Sequence, residues 1–66
     1  MVEFKDRLRG LRCERRMTQS ELARETGVST ASVGNWESGD NFPNLMVAVT
    51  LADALGVTLD ELVGRE

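Results

Sequence analysis

The chain has 66 residues, 41% of them hydrophobic, with 11 acidic against 8 basic side chains, a net charge of −3 and a pI near 4.8. One cysteine, Cys13, and no histidine exclude an internal disulfide and leave no credible zinc ligand set, so no metal and no cofactor are expected. The chain also lacks a histidine base, paired catalytic carboxylates and a glycine-rich phosphate loop after a strand, which argues against an enzyme, and it has no apolar run near 18 residues, which argues against a membrane span or signal peptide.

One domain covering residues 1–66 is expected, since there is no linker, repeat or low-complexity tract. A domain of this size buries only about 60% of the surface its unfolded chain exposes, so pairing with a second copy would add stability. The first helix spans residues 4–16, with Phe4, Leu8 and Leu11 forming an apolar stripe at i, i+4, i+7. Gly10 within it costs roughly 1 kcal/mol relative to alanine and points either to close packing of a neighbour or to simple tolerance. Cys13 and Met17 are assigned to core or boundary space, because no base adjoins the thiol in sequence.

Residues 18–39, TQSELARETGVSTASVGNWESG, compress two helix signals around one turn. Thr18 and Glu21 form a capping box that starts a helix at Gln19, with Leu22 and Ala23 on its apolar side. Gly27 supplies the left-handed residue that ends it, and Val28 plugs the corner. Ser29 caps the next helix. There Val33, Trp36 and Glu37 fall on one side, while Ala31, Gly34, Asn35 and Ser38 fall on the other, a small and polar outer face. Trp36 is assigned to the core, not to stacking on a base.

Gly39 ends this third helix, and residues 40–43 form a loop because proline disfavours helical geometry in the residue before it. Asn44 caps a fourth helix whose inward stripe is Leu45, Ala48, Val49, Ala52 and Leu55, stopped by Gly56. Met46 and Val47 fall off that stripe and are either loosely packed boundary residues or a candidate self-association patch. Thr58 and Glu61 make a second capping box, opening a short last helix that packs Leu59 and Leu62 and stops at Gly64.

Charge is unevenly spread. Up to Arg24 there are seven basic residues against four acidic ones, and from Glu25 onward seven acidic residues against Arg65 alone. The front is therefore basic and the back acidic, a distribution that bears on nucleic-acid binding more than the total does.

The ordered set T-Q-x-E-L-A, G-V-S, V-x-x-W-E-x-G and L-A-D-A-L-G-V-T-L-D-E-L resembles the Cro and repressor type of helix-turn-helix domain, also called the xenobiotic-response-element type, over residues 4–63. The resemblance implies an all-α, compact five-helix domain, and the caps and periodicity give the same five helices independently. It also implies a sequence-specific DNA-binding regulator, Cro-like or controller-like, that works in the cytoplasm on the nucleoid of a bacterium or phage. The third helix would enter the major groove of double-stranded DNA, with a homodimer on a palindromic operator setting two such helices about 34 Å apart.

By this resemblance Thr30, Ala31 and Asn35 are the candidate base contacts. Asn35 has the chemistry for adenine, donating to N7 and accepting from N6; Ala31 and the Thr30 methyl suit a thymine methyl. Gln19 and Ser29, at helix starts where amides are unpaired, are candidate phosphate contacts, joined by Arg12, Arg15 and Arg16 as the front cations. Arg12 is also expected to pair with Glu37 and orient the reading helix, as an exposed pair worth about 0 to 1 kcal/mol. The chain departs from many relatives in its loop, Asp40-Asn41-Phe42-Pro43-Asn44, which has no cation, and no small-molecule ligand is expected. The alternative is a protein-interaction module of the same fold, binding through the acidic back or through Met46, Val47 and Val63.

Overall fold

Five helices follow one another in the computed structural model, which describes residues 3–65: α1 (Phe4–Glu14), α2 (Gln19–Thr26), α3 (Thr30–Ser38), α4 (Leu45–Leu55) and α5 (Leu59–Leu62). There is no strand among the described residues. The starts of α2 to α5 are each built by a side-chain cap, which α1 lacks at Glu3. Thr18 and Thr58 accept from the N–H groups of Glu21 and Glu61 while those glutamates accept from the threonine N–H groups, closing both capping boxes. The same bonds hold the Glu21 and Glu61 carboxyls below the usual carboxylate range, because the threonine backbone N–H stabilises the charged form. Ser29 Oγ accepts from Ser32 N–H at 3.0 Å, and Asn44 Oδ1 from Val47 N–H at 2.9 Å.

The helices close on a core of Leu8, Leu11, Leu22, Val33, Trp36, Leu51, Leu55 and Leu62, with Ala23, Ala48 and Ala52 where helices approach. α2 packs on α3 and α4, and α1 packs on α3 and α5. Val28 and Val57, each just after a glycine corner, lie against this core and seal it.

Several expectations are corrected. α1 stops at Glu14, not at residue 16: Arg15 leaves the helix, and Arg16 adopts a left-handed φ of 55° so that Arg16 and Met17 N–H bond to the carbonyls of Cys13 and Arg12. An arginine does here what glycine usually does, which keeps the turn at a conformational cost of about 1 kcal/mol. Gly10 packs against nothing, since a side chain there would meet open space. Cys13 is exposed and fills no core space. In α4 the inward stripe is Ala48, Leu51, Ala52 and Leu55. Leu45 and Val49, expected inward, face out, while Val47 takes the boundary place of its two readings, half-buried against the core, and so leaves the patch to Met46. The shift follows from Leu51, which is fully buried and draws the inward side toward itself while Ala48, Ala52 and Leu55 stay inward as expected.

Candidate nucleic-acid interface

The helix-turn-helix unit is α2, the Gly27 corner and α3. Gly27 has φ 72° and its neighbour Val28 N–H bonds to Ala23 O, which folds the chain back so that α3 starts beside α2. α3 is held from inside by Val33, Trp36 and Glu37, all buried. Its outer side carries Thr30, Ala31, Asn35 and Ser38, all exposed, with half-buried Gly34 among them. The candidate base contacts thus share one face, and that face has no ionised group.

Its inner side has one. Glu37 is 1% exposed and sits among three partners from two other helices. Arg12 Nε donates to Glu37 Oε2 at 2.7 Å and Arg12 Nη2 to Oε1 at 2.9 Å, a bidentate fork. Gln19 Nε2 donates to Oε1 at 3.2 Å. Burial pushes the Glu37 carboxyl upward, but the bonds from Arg12 and Gln19, with the charges of Arg12 and Arg9, outweigh it and leave the group below its ordinary range. The same fork raises the Arg12 guanidinium further above its ordinary value.

This corrects two sequence expectations. The Arg12–Glu37 pair is not an exposed one, as Arg12 is only 13% exposed. Arg12 also gives its remaining amino group to Met17 O at 2.7 Å, so the guanidinium is consumed inside the protein and offers little to a phosphate. Gln19 has likewise committed one N–H of its side-chain amide to Glu37, and its backbone N–H, the first of α2, is left open to an anion by the helix start. Ser29 spends its hydroxyl on Ser32, bonding Ser32 Oγ at 2.8 Å as well as accepting from its N–H, while the N–H groups of Thr30 and Ala31 begin α3 without acceptors inside the helix. Arg15 and Arg16 are exposed but line a groove with Glu21, Glu25 and Asp53, to which α3 contributes no residue.

Lys5 and Arg9 stand close to α3 instead. Arg9, 55% exposed, donates to Glu37 O at 3.0 Å, and the Lys5 side chain passes so near Gly39 that a Cβ there would lie 3.1 Å from Lys5 Cδ. Two cations therefore flank the carbonyl end of α3, where the helix dipole favours them. With Arg12 they recur at i, i+4, i+7, the spacing that marks Phe4, Leu8 and Leu11 displaced by one residue, so the signal was in the sequence. Ser20 was also overlooked: its Oγ lies 3.3 Å from Thr30 Oγ1 and extends the polar face onto α2.

Opposite in character is the exposed start of α4. Leu45 and Met46 are 67% and 72% exposed, Val49 38%, and Phe42 in the preceding loop is equally open apart from a tilted contact with Phe4, ring centroids 6.0 Å apart.

Comparison with known proteins assigns this arrangement. A model of the family described as Helix-turn-helix matches residues 8–62. The chain belongs to that family, in its Cro and repressor type. It is 39% identical over 64 residues to the cryptic phage CTXphi transcriptional repressor RstR of Vibrio cholerae, covering 97% of this chain and 57% of the relative. It is 35% identical over 65 residues to the HTH-type transcriptional activator BcrR of Enterococcus faecalis, covering 98% of this chain and 32% of the relative. The chain thus spans between about a third and just over half the length of these curated relatives. Among solved structures, the P22 c2 repressor protein in complex with synthetic operator 9T superposes with a TM-score of 0.92 at 26% identity, covering 100% of both chains. The all-α, five-helix architecture is that of the phage repressor domains.

Proposed function

We propose that this helix-turn-helix protein is a sequence-specific DNA-binding transcriptional regulator of the Cro or controller kind, without enzymatic activity, that reads the major groove with α3. The carrying observation is the contrast within α3: a buried, directionally bonded inner side and an uncharged outer face of Thr30, Ala31 and Asn35 that starts at open helix amides. The likeness to an operator-bound repressor and to a named transcriptional repressor supports this reading. Asn35 pairs with an adenine edge, and Thr30 and Ala31 meet thymine methyls. The backbone N–H of Gln19 and the amides following Ser29 hold phosphates, with Lys5 and Arg9 taking the charge role that the cation-free loop and the internally bound Arg12 cannot.

The protein acts in the cytoplasm as a homodimer on a palindromic site. The exposed apolar set Phe42, Leu45, Met46 and Val49 is the surface that a second copy covers. Dimensions of 28 × 24 × 22 Å let two copies touch and still hold their reading helices one DNA turn, about 34 Å, apart. No helix among the described residues is long and apolar enough to cross a membrane.

Selection of bound sites from random duplex DNA tests the proposal. The expected result is an enriched palindrome, bound with an affinity whose logarithm falls against log salt by about 0.9 per phosphate contacted. Absence of enrichment, with binding indifferent to salt, would sink it in favour of a protein-interaction module.

A further inference from the structure

The side chain of Gln19 crosses from α2 to α3, and its nitrogen donates to Glu37 Oε1. Glu37 is an ionised carboxylate held by Arg12, hence an acceptor and never a donor. That fixes which way the amide faces. Its nitrogen must point at Glu37, and its oxygen must point away.

The oxygen arrives beside Gly34. A Cβ built on Gly34 would stand 3.6 Å from Gln19 Oε1, an ordinary contact distance. Gln19 Oε1 accepts no hydrogen bond, and no buried side-chain nitrogen or oxygen among the described residues lacks a partner, so this oxygen of a half-buried side chain is not sealed from solvent. Gly34 is the poorest helix former short of proline in the interior of the reading helix, yet nothing inside the domain demands a bare backbone there. It lies four residues after Thr30 and next to Asn35, in the middle of the outer face.

We propose that Gln19 is a specificity-determining residue: Glu37 locks its amide so that the oxygen is a fixed acceptor beside Gly34 on the reading face. This inference rests on the reading of α3 as the groove helix. A free glutamine can turn either end of its amide toward a base and so distinguishes little. A locked one holds its oxygen in one direction, and in the major groove the groups that answer an acceptor are the amino groups of adenine N6 and cytosine N4. Guanine O6 and N7 and thymine O4 are acceptors themselves and cannot answer that oxygen. The bareness of Gly34 leaves the oxygen uncovered.

The test compares base preferences of the wild type with those of Gln19→Met and Gly34→Ala by site selection and by titration of single-substitution operators. One base-pair position at which the wild type favours adenine or cytosine by about fivefold or more should become indifferent in Gln19→Met, with the other positions unchanged. Gly34→Ala should melt no lower than the wild type, because alanine is the better helix former, yet lose preference at that same position. If the favoured base is adenine, replacing it by purine, which lacks the amino group, should weaken the wild type and leave Gln19→Met unaffected. The Gly34→Ala and purine arms stand even if Gln19→Met folds poorly. An unchanged preference profile in Gln19→Met, or uniform weakening at every position, overturns the inference while leaving DNA reading by α3 intact. A wild type that enriches no site overturns that reading, and the inference with it.

Discussion

Helices α3 and α4 are built alike and finish differently. Each begins on a side-chain cap, Ser29 or Asn44, and each ends on a left-handed glycine, Gly39 at φ 87° or Gly56 at φ 68°. Yet α3 turns a charged residue inward and small polar groups outward, whereas α4 turns only apolar residues inward and leaves Leu45, Met46 and Val49 outside. Caps and glycines decide that a helix forms and where it stops; they say nothing about what its outer face meets. The inner sides also differ in kind. Burial of Leu51 and Leu55 is non-directional, so α4 is held down without being tightly aimed. The bidentate fork from Arg12 to Glu37 is directional, and it fixes the rotation of α3 about its axis.

The largest expected effect breaks that difference at Glu37. Glu37→Ala leaves Arg12 nearly buried without its partner, and removal of one member of a buried pair costs about 3 to 5 kcal/mol against a typical total of about 5 to 15. Leu51→Ala in α4 should cost a similar amount, about 2 to 5 kcal/mol, by leaving a cavity. The second changes separate the two. Arg12→Met with Glu37→Leu should recover most of the melting temperature without recovering site-specific DNA binding, because apolar packing replaces stability but not aim. Recovery of both would show that the pair sets no orientation. Acid probes the same pair. Glu37 in the folded state titrates below its unfolded value of about 4.3, so the folded protein binds fewer protons there and stability rises with pH through this window. The contribution is complete above about pH 4.3 and is lost as pH falls further through the folded value, and melting curves should lose that acid dependence in Glu37→Gln.

Next come the outer faces. Asn35→Ala should lower affinity for the selected site by about 1 to 3 kcal/mol, roughly 5- to 150-fold, and leave the melting temperature unchanged because Asn35 is exposed. Met46→Lys on α4 should weaken self-association by about tenfold or more in sedimentation equilibrium, the scale of one exposed methionine that would otherwise be buried, and should leave binding to a single half-site unaltered. If Met46→Lys instead lowers half-site binding, or Asn35→Ala dissociates the dimer, the division of labour between the two helices is wrong.

How much of this was legible in the sequence follows the same division. Helices α2 to α5 were, since Thr18–Glu21, Thr58–Glu61, Ser29, Asn44 and the glycines at 27, 39 and 56 act within a few residues of themselves, and α1 was legible from its Phe4, Leu8 and Leu11 stripe, though not its end. The inner side of α3 was also legible, because Val33, Trp36 and Glu37 contrast with small polar neighbours. In α4 that contrast is missing: Leu45, Met46, Val47, Val49 and Leu51 are all apolar, several rotations satisfy the pattern, and only packing against α2 and α5 selects the one that buries Leu51. The fate of Arg12 and Gln19 was hidden for another reason. Sequence gives the pairing but not the depth of Glu37, and it is depth that consumes the guanidinium and the amide nitrogen. Arg16 in a left-handed turn has no local signal at all, because nothing in an arginine announces that conformation.

The caps give the smallest and most discriminating comparison. Ser29→Ala and Asn44→Ala each remove one side-chain acceptor from a helix start, at a cost of about 0.5 to 2 kcal/mol in either helix, so their melting temperatures should fall together. Their effects on DNA should part. Ser29 sets the direction of the amides of Thr30 and Ala31, which the phosphate reading uses, and its loss lets that first turn fray; Asn44 shapes a turn that α3 does not share. Ser29→Ala should therefore weaken binding to specific and nonspecific DNA alike, by a few-fold beyond what its melting temperature accounts for, while Asn44→Ala should weaken neither. Measured by titration at one salt concentration, equal losses for the two variants would mean that the α3 amides hold no phosphate and that stability alone links the caps to binding.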